Sequence, residues 1–173
     1  MLKYHSYNIV FQEVPGEVTL AVNLSNCPNR CKGCHSTYLQ ENIGATLDEC
    51  VLDILLAKYG NAITCFCFVG GDADPQAVER LSLYIRAASA SRLKTAWYSG
   101  SQKLPENCSV GSFDYIKLGE YVERLGGLDS PTTNQRFYRV EKEYMKDETK
   151  SFQKNERNTI CGDVTQNNYL YKQ

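Results

Sequence analysis

Apolar residues along this chain fall into two kinds of block, and the blocks predict the elements. Residues 18–24 (VTLAVNL) are rich in aliphatic and β-branched side chains and stop at Ser25-Asn26, which predicts a strand running into a loop. Thr46 precedes Glu49 at capping-box spacing, and Leu47, Val51, Ile54 and Leu55 recur at helical intervals until Gly60, so a helix is expected there. Residues 62–69 form a continuous apolar, aromatic run, the pattern of a strand buried on both faces of a parallel sheet. That run empties into Gly70-Gly71-Asp72. Asp74-Pro75 can then cap and open a second helix with Val78, Leu81, Ile85 and Ala88 on its buried side. Residues 95–98, ending at Ser99-Gly100, and 113–118, ending at Gly119, read as two more strands.

Alternating strands and helices predict an α/β fold with a mainly parallel sheet. A full barrel of eight such units takes about 250 residues, whereas the patterned part here ends near Val140. The expected architecture is therefore a short, incomplete (βα) barrel over residues 1–140. Residues 141–154 are charged without an apolar stripe, and 155–173 are polar with a lone Cys161. Together, 141–173 are expected to be a polar tail, mobile or weakly packed. No internal repeat is visible.

Composition narrows the classes. The chain has 173 residues, 42% hydrophobic and 23% charged, as in soluble globular proteins. A net charge of −1 gives no global basic footprint for nucleic acid. No run of about 18 apolar residues suggests a membrane span. Lys3, His5, Asn8 and Gln12 interrupt the first fifteen residues, unlike a signal peptide. A cytoplasmic protein with neither nucleic-acid nor membrane partner is expected.

Eight cysteines change the picture. In a reducing compartment, clustered cysteines bind metal or do redox chemistry more often than they form disulfides. Cys27, Cys31 and Cys34 follow a C-x3-C-x2-C pattern on the loop after the 18–24 strand. Soft thiolates suit zinc or iron–sulfur. A closed zinc site wants four ligands, commonly as two C-x2-C knuckles; here no second pair stands at a suitable distance, and His35 adjoins Cys34 too closely to complete the same tetrahedron well. Three cysteines without a fourth suggest a cubane cluster with one iron open to an outside ligand, with zinc or inert cysteines as the alternatives. Cys65 and Cys67 share one strand face and read as core residues rather than a second redox site. Cys50 falls in a helix, and Cys108 and Cys161 lie in polar segments.

These residues resemble a family. C-x3-C-x2-C after a strand is the signature of the radical S-adenosylmethionine enzymes, and Gly70-Gly71-Asp72 resembles their Gly-Gly-Glu motif. A closer resemblance is to the small activating proteins of anaerobic (class III) ribonucleotide reductases. These place a Gly just before the third cysteine, here Gly33. Their Trp-x-Ser/Thr-Gly stretch is matched by Trp97 to Gly100, and their D-x-hydrophobic-x-x-Gly-x-Tyr/Phe segment by Asp114 to Tyr121. Their late Ser-x-Asn-Gln element is echoed by Thr132 to Gln135. The resemblance spans roughly residues 5 to 140. Val69 stands where a Ser often precedes the glycines, and Ala73-Asp74 separate Asp72 from Pro75.

The resemblance implies a radical S-adenosylmethionine oxidoreductase. Cys27, Cys31 and Cys34 would hold one 4Fe–4S cluster. Gly33, Cys34, His35, Gly70, Gly71 and Asp72 would bind S-adenosylmethionine. Its reductive cleavage would yield a 5′-deoxyadenosyl radical that installs a glycyl radical on the C-terminal glycine loop of the reductase. A low-potential donor such as a flavodoxin would supply the electron. The rival readings are an activase for another glycyl-radical enzyme, a radical enzyme acting on a small metabolite, and a noncatalytic iron–sulfur or zinc protein. Trp97 is expected to pack rather than carry electrons. Arg80, Arg86 and Arg92 read as a solvated face that could also meet an acidic donor.

Overall fold

The computed structural model describes residues 1–153. Strand β2 (Thr19–Leu24) sits near the middle of the sheet. It pairs in parallel with β4 (Cys65–Val69), which pairs in parallel with β5 (Lys94–Tyr98), and β5 in turn with β6 (Tyr115–Leu118). Helix α1 (Glu49–Tyr59) connects β2 to β4, and α2 (Pro75–Ala88) connects β4 to β5. The expected α/β alternation is therefore present.

The sheet itself is neither mainly parallel nor closed into a barrel. Strand β1 (Lys3–Val10) runs antiparallel to β2, and the two-residue β3 (Ala45–Thr46) antiparallel to β1. At the other side β7 (Arg136–Glu141) pairs antiparallel with β6, and β8 (Tyr144–Asp147) with β7. The order is β3-β1-β2-β4-β5-β6-β7-β8, an open mixed sheet of eight strands. The difference lies in the connections: hairpins join β1 to β2 and β7 to β8, β6 runs to β7 through a segment without a helix, and antiparallel neighbours need no crossover helix.

The boundary expected at residue 140 falls inside β7, and β8 extends the same sheet. Phe152 then packs edge-on against Phe137, with ring centroids 4.9 Å apart. Residues 154–173 of the expected tail, with Cys161, lie outside the described residues. No helix among the described residues is long and apolar enough to cross a membrane.

Period-2 alternation sorts the strand side chains onto two faces. Leu20, Val22, Phe66, Phe68, Trp97 and Ile116 face the helices, where Leu52, Leu55, Val78, Leu81 and Ile85 cover them. Cys65, Cys67, Ala96, Tyr115 and Phe137 face the other way, under Val14 from the β1–β2 loop. Cys65 and Cys67 are thus core residues, and burial pushes both thiols well above the ordinary range. Glu17 closes the far end of this face, accepting from Lys94 at 2.5 Å and from the Tyr115 hydroxyl at 2.8 Å.

The helices differ in detail from expectation. Asp48 caps α1, accepting from the Val51 N–H at 3.0 Å, while Thr46 is taken up in β3. Leu52 and Leu55 form the buried stripe of α1, and Ile54 is 62% exposed. Asp74 caps α2 with Pro75 as its first residue, and Val78, Leu81 and Ile85 are buried as expected. Ala88 is exposed.

Phe137 is fully buried between Tyr98, Tyr115 and Phe152. Phe137→Ala should therefore cost about 3–5 kcal/mol in chemical denaturation, whereas Tyr144→Ala at the exposed β8 edge should change stability by less than about 0.5 kcal/mol. A small loss for Phe137→Ala would contradict a β7 packed into the core.

Candidate functional site

Parallel pairing ends β2, β4, β5 and β6 at the same edge. Asn23, Val69, Tyr98 and Lys117 stand opposite one another in register, all on the face away from the helices. This row floors a cavity of about 270 Å³, whose wall includes Cys27, Cys31, Cys34 and His35. The carboxyl edge of parallel strands is where α/β folds bind ligands.

The cysteine loop is fixed at its start. Asn26 N–H donates to Glu41 O at 2.9 Å, and Cys27 N–H to Leu39 O at 3.0 Å. Asn26 (φ 62°) and Arg30 (φ 45°) adopt left-handed backbone, an uncommon conformation for residues with side chains. A turn joins Cys31 and Cys34, with Cys34 N–H on Cys31 O at 3.2 Å. Gly33 takes φ +77°, and a Cβ there would lie 3.0–3.2 Å from Glu123. The thiol of Cys34 accepts from Ser36 N–H at 3.4 Å. All three thiols are free and half-buried. Among the described residues, no three Cys, His, Asp or Glu side chains converge closely enough to hold one metal ion.

Of the residues expected to bind S-adenosylmethionine, Cys34, His35 and Gly70 line the cavity and Gly33, Gly71 and Asp72 do not. The His35 ring lies 4.9 Å from that of Tyr121 at the cavity wall. Gly70 takes φ +93° and its carbonyl accepts from the Trp97 indole at 2.8 Å, so Trp97 braces the turn from within the core. Gly71 points inward instead. A Cβ on it would sit 2.6 Å from Val78 and 2.8 Å from Leu24, so this glycine lets α2 pack against β2. The Asp72 carboxylate accepts from Asn29, Ser99, the Gly100 N–H and Ser101. It ties three loops together beside the cavity.

Lys117 went unnoticed in the sequence. It is only 8% exposed, yet its amine lies on the cavity floor, donating to Gly119 O at 2.5 Å and Ser99 O at 3.5 Å. Burial pushes its pKa down to about 8, against the opposing pull of Asp72, Cys31 and Cys27. The available signal was a lone Lys inside the otherwise apolar strand YIKL. Gln135, 7% exposed, also reaches the cavity, and its amide contacts Gly119 O at 3.4 Å.

The arginine series is already engaged. Arg80 pairs with Glu49, while Arg86 and Arg92 each donate at 2.8 Å to the carbonyls of Gly111 and Gly60. Cys108 is buried beside Glu79, and burial raises its thiol; Cys50 is exposed. Comparison with protein-family models, curated protein sequences and solved structures returned no match.

Lys117 carries a testable cost. Its folded pKa of about 8 lies below the ordinary 10.5, so the folded state resists holding its proton. Below pH 8 this should cost on the order of 3 kcal/mol. That penalty fades as pH rises from about 8 towards 10.5. Lys117→Met should accordingly be more stable than wild type at pH 7 by thermal denaturation, with the gap closing between pH 8 and 10. A variant less stable at every pH would contradict the burial argument.

Proposed function

We propose that this chain is an activase of an anaerobic ribonucleotide reductase. In this reading Cys27, Cys31 and Cys34 hold a 4Fe–4S cluster, and S-adenosylmethionine binds beside it. One observation carries the reading: the three thiols of a C-x3-C-x2-C loop line a single cavity at the carboxyl edge of a parallel β-sheet core. Three half-buried, soft thiol donors lining one cavity suit thiolate ligation of iron.

Cys27, Cys31 and Cys34 would hold the cluster, and the chemistry it would supply there is one-electron reduction of the sulfonium of S-adenosylmethionine. The chain's own residues bind and orient. The Lys117 amine places a positive charge on the floor, suited to a carboxylate. Gly70, Gly100 and Gly119 line the cavity with backbone, and their missing side chains make room for Leu24, Asn29 and the backbone of residues 134–135 behind it. The hydrogen donor is a glycine Cα of the partner enzyme, which has no side chain to obstruct it. The electron comes from an external donor of the flavodoxin kind, and the protein works in the cytoplasm.

The test has two parts. Cys27→Ala, Cys31→Ala and Cys34→Ala should each lose the 4Fe–4S spectrum after anaerobic reconstitution, whereas Cys65→Ala and Cys67→Ala should keep it at a packing cost of roughly 1–2 kcal/mol. An intact spectrum in any of the first three would overturn the ligand assignment. Reduced wild-type protein, S-adenosylmethionine and a reductase deuterated at its C-terminal glycine should then give deuterated 5′-deoxyadenosine and a glycyl doublet by EPR. Cofactor cleavage without deuterium transfer would redirect the reading to another glycyl-radical enzyme or to a metabolite.

A further inference from the structure

Asn29 lies between the first two cysteines, in a segment to which sequence alone gives no role. In the fold its amide nitrogen reaches two acceptors, the Asp72 carboxylate at 2.9 Å and the Cys27 sulfur at a longer 3.8 Å. A primary amide has two N–H groups, so one nitrogen can serve both. Because Asp72 is an acceptor when ionised, the NH2 and not the carbonyl of Asn29 must face it, which fixes the amide orientation.

Gly100 supplies independent geometry. A Cβ built on it would fall 2.3 Å from the Asn29 amide nitrogen and 2.9 Å from its carbonyl carbon. The Asn29 amide thus occupies the space a side chain at position 100 would take. Ser99, the Gly100 N–H and Ser101 hold Asp72 from the other side. Together these residues form a seat built from the β4 turn and the β5 turn, and the cysteine loop is docked in it by one side chain. The left-handed Arg30 follows directly after, so the seat also restrains a strained turn.

We propose that Asn29 is a positioning residue: seated between Asp72 and Gly100, it docks the cysteine loop on the sheet and donates a hydrogen bond to the Cys27 sulfur. The docking stands on the fold alone. The consequence for a bound cluster rests on the iron–sulfur reading above. There, an N–H on a ligand sulfur draws negative charge from it and raises the reduction potential.

Two variants address the seat from opposite sides. Asn29→Ala removes the amide. Gly100→Ala leaves Asn29 and Asp72 chemically intact but expels the amide, and the clash is with the end of a flexible side chain, so the fold should tolerate it. In hydrogen exchange on the metal-free protein, both variants should exchange the amides of residues 26–34 several-fold faster than wild type, with β4 unchanged. Once cysteine-loop loading is verified by iron content, both should also show a more negative midpoint potential in spectroelectrochemical titration. The double variant should add little to either single one, because the two act on one contact. Unchanged exchange in both variants overturns the docking. An unchanged potential in fully loaded Asn29→Ala overturns the donation to sulfur. A wild type that takes no cluster condemns the iron–sulfur reading instead, and the exchange result then decides the docking by itself.

Discussion

In-register parallel pairing of β2, β4, β5 and β6 is the constraint on which the rest of the molecule depends. It brings Asn23, Val69, Tyr98 and Lys117 into one row at one edge, and it gathers the loops that follow those strands around that row. The register is held by the two unlike faces of each strand. In β4, Phe66 and Phe68 bury against the helices, while Cys65 and Cys67 fill the opposite face. A slip of one residue would turn Lys117 towards the apolar helix layer and Ile116 towards the cavity. Burial on both faces makes that slip costly and keeps the cavity in place.

Sequence pattern was informative where a signal is local or strongly periodic. The central strands, the α2 cap at Asp74-Pro75 and the cysteine loop all follow from a few adjacent residues. Edge elements were not legible in the same way. β1 is half-exposed along most of its length and β8 is exposed throughout, so neither needs the apolar alternation that would announce it. Both are specified by hairpin partners, which are tertiary information. The α1 start shows a finer limit: Thr46 and Asp48 are both good capping residues, and pairing of Thr46 with Lys3 in β3 decides between them.

The site divides similarly. Cysteine spacing picked out a loop that lines the cavity, and Gly70 and His35 reach it as well. Gly71 and Asp72 serve neighbouring contacts instead, one against Val78 and Leu24, the other across three loops. Which of two adjacent glycines faces a cavity depends on where a Cβ would point, and a motif does not carry that. The contacts of Asn29 were hidden for a related reason, since Asp72 and Gly100 are distant in sequence. The cavity also carries two features that cost stability, the buried Lys117 amine on its floor and left-handed backbone at Arg30.

The central claim is that three thiolates from one loop hold a cluster with one iron left open. Anaerobic reconstitution followed by metal analysis and EPR of the reduced protein, with and without S-adenosylmethionine, tests it most directly. The account predicts iron and sulfide near four each per chain, and a reduced-cluster signal that changes when S-adenosylmethionine is added. One tightly bound zinc per chain, or a full cluster whose signal ignores S-adenosylmethionine, would contradict it.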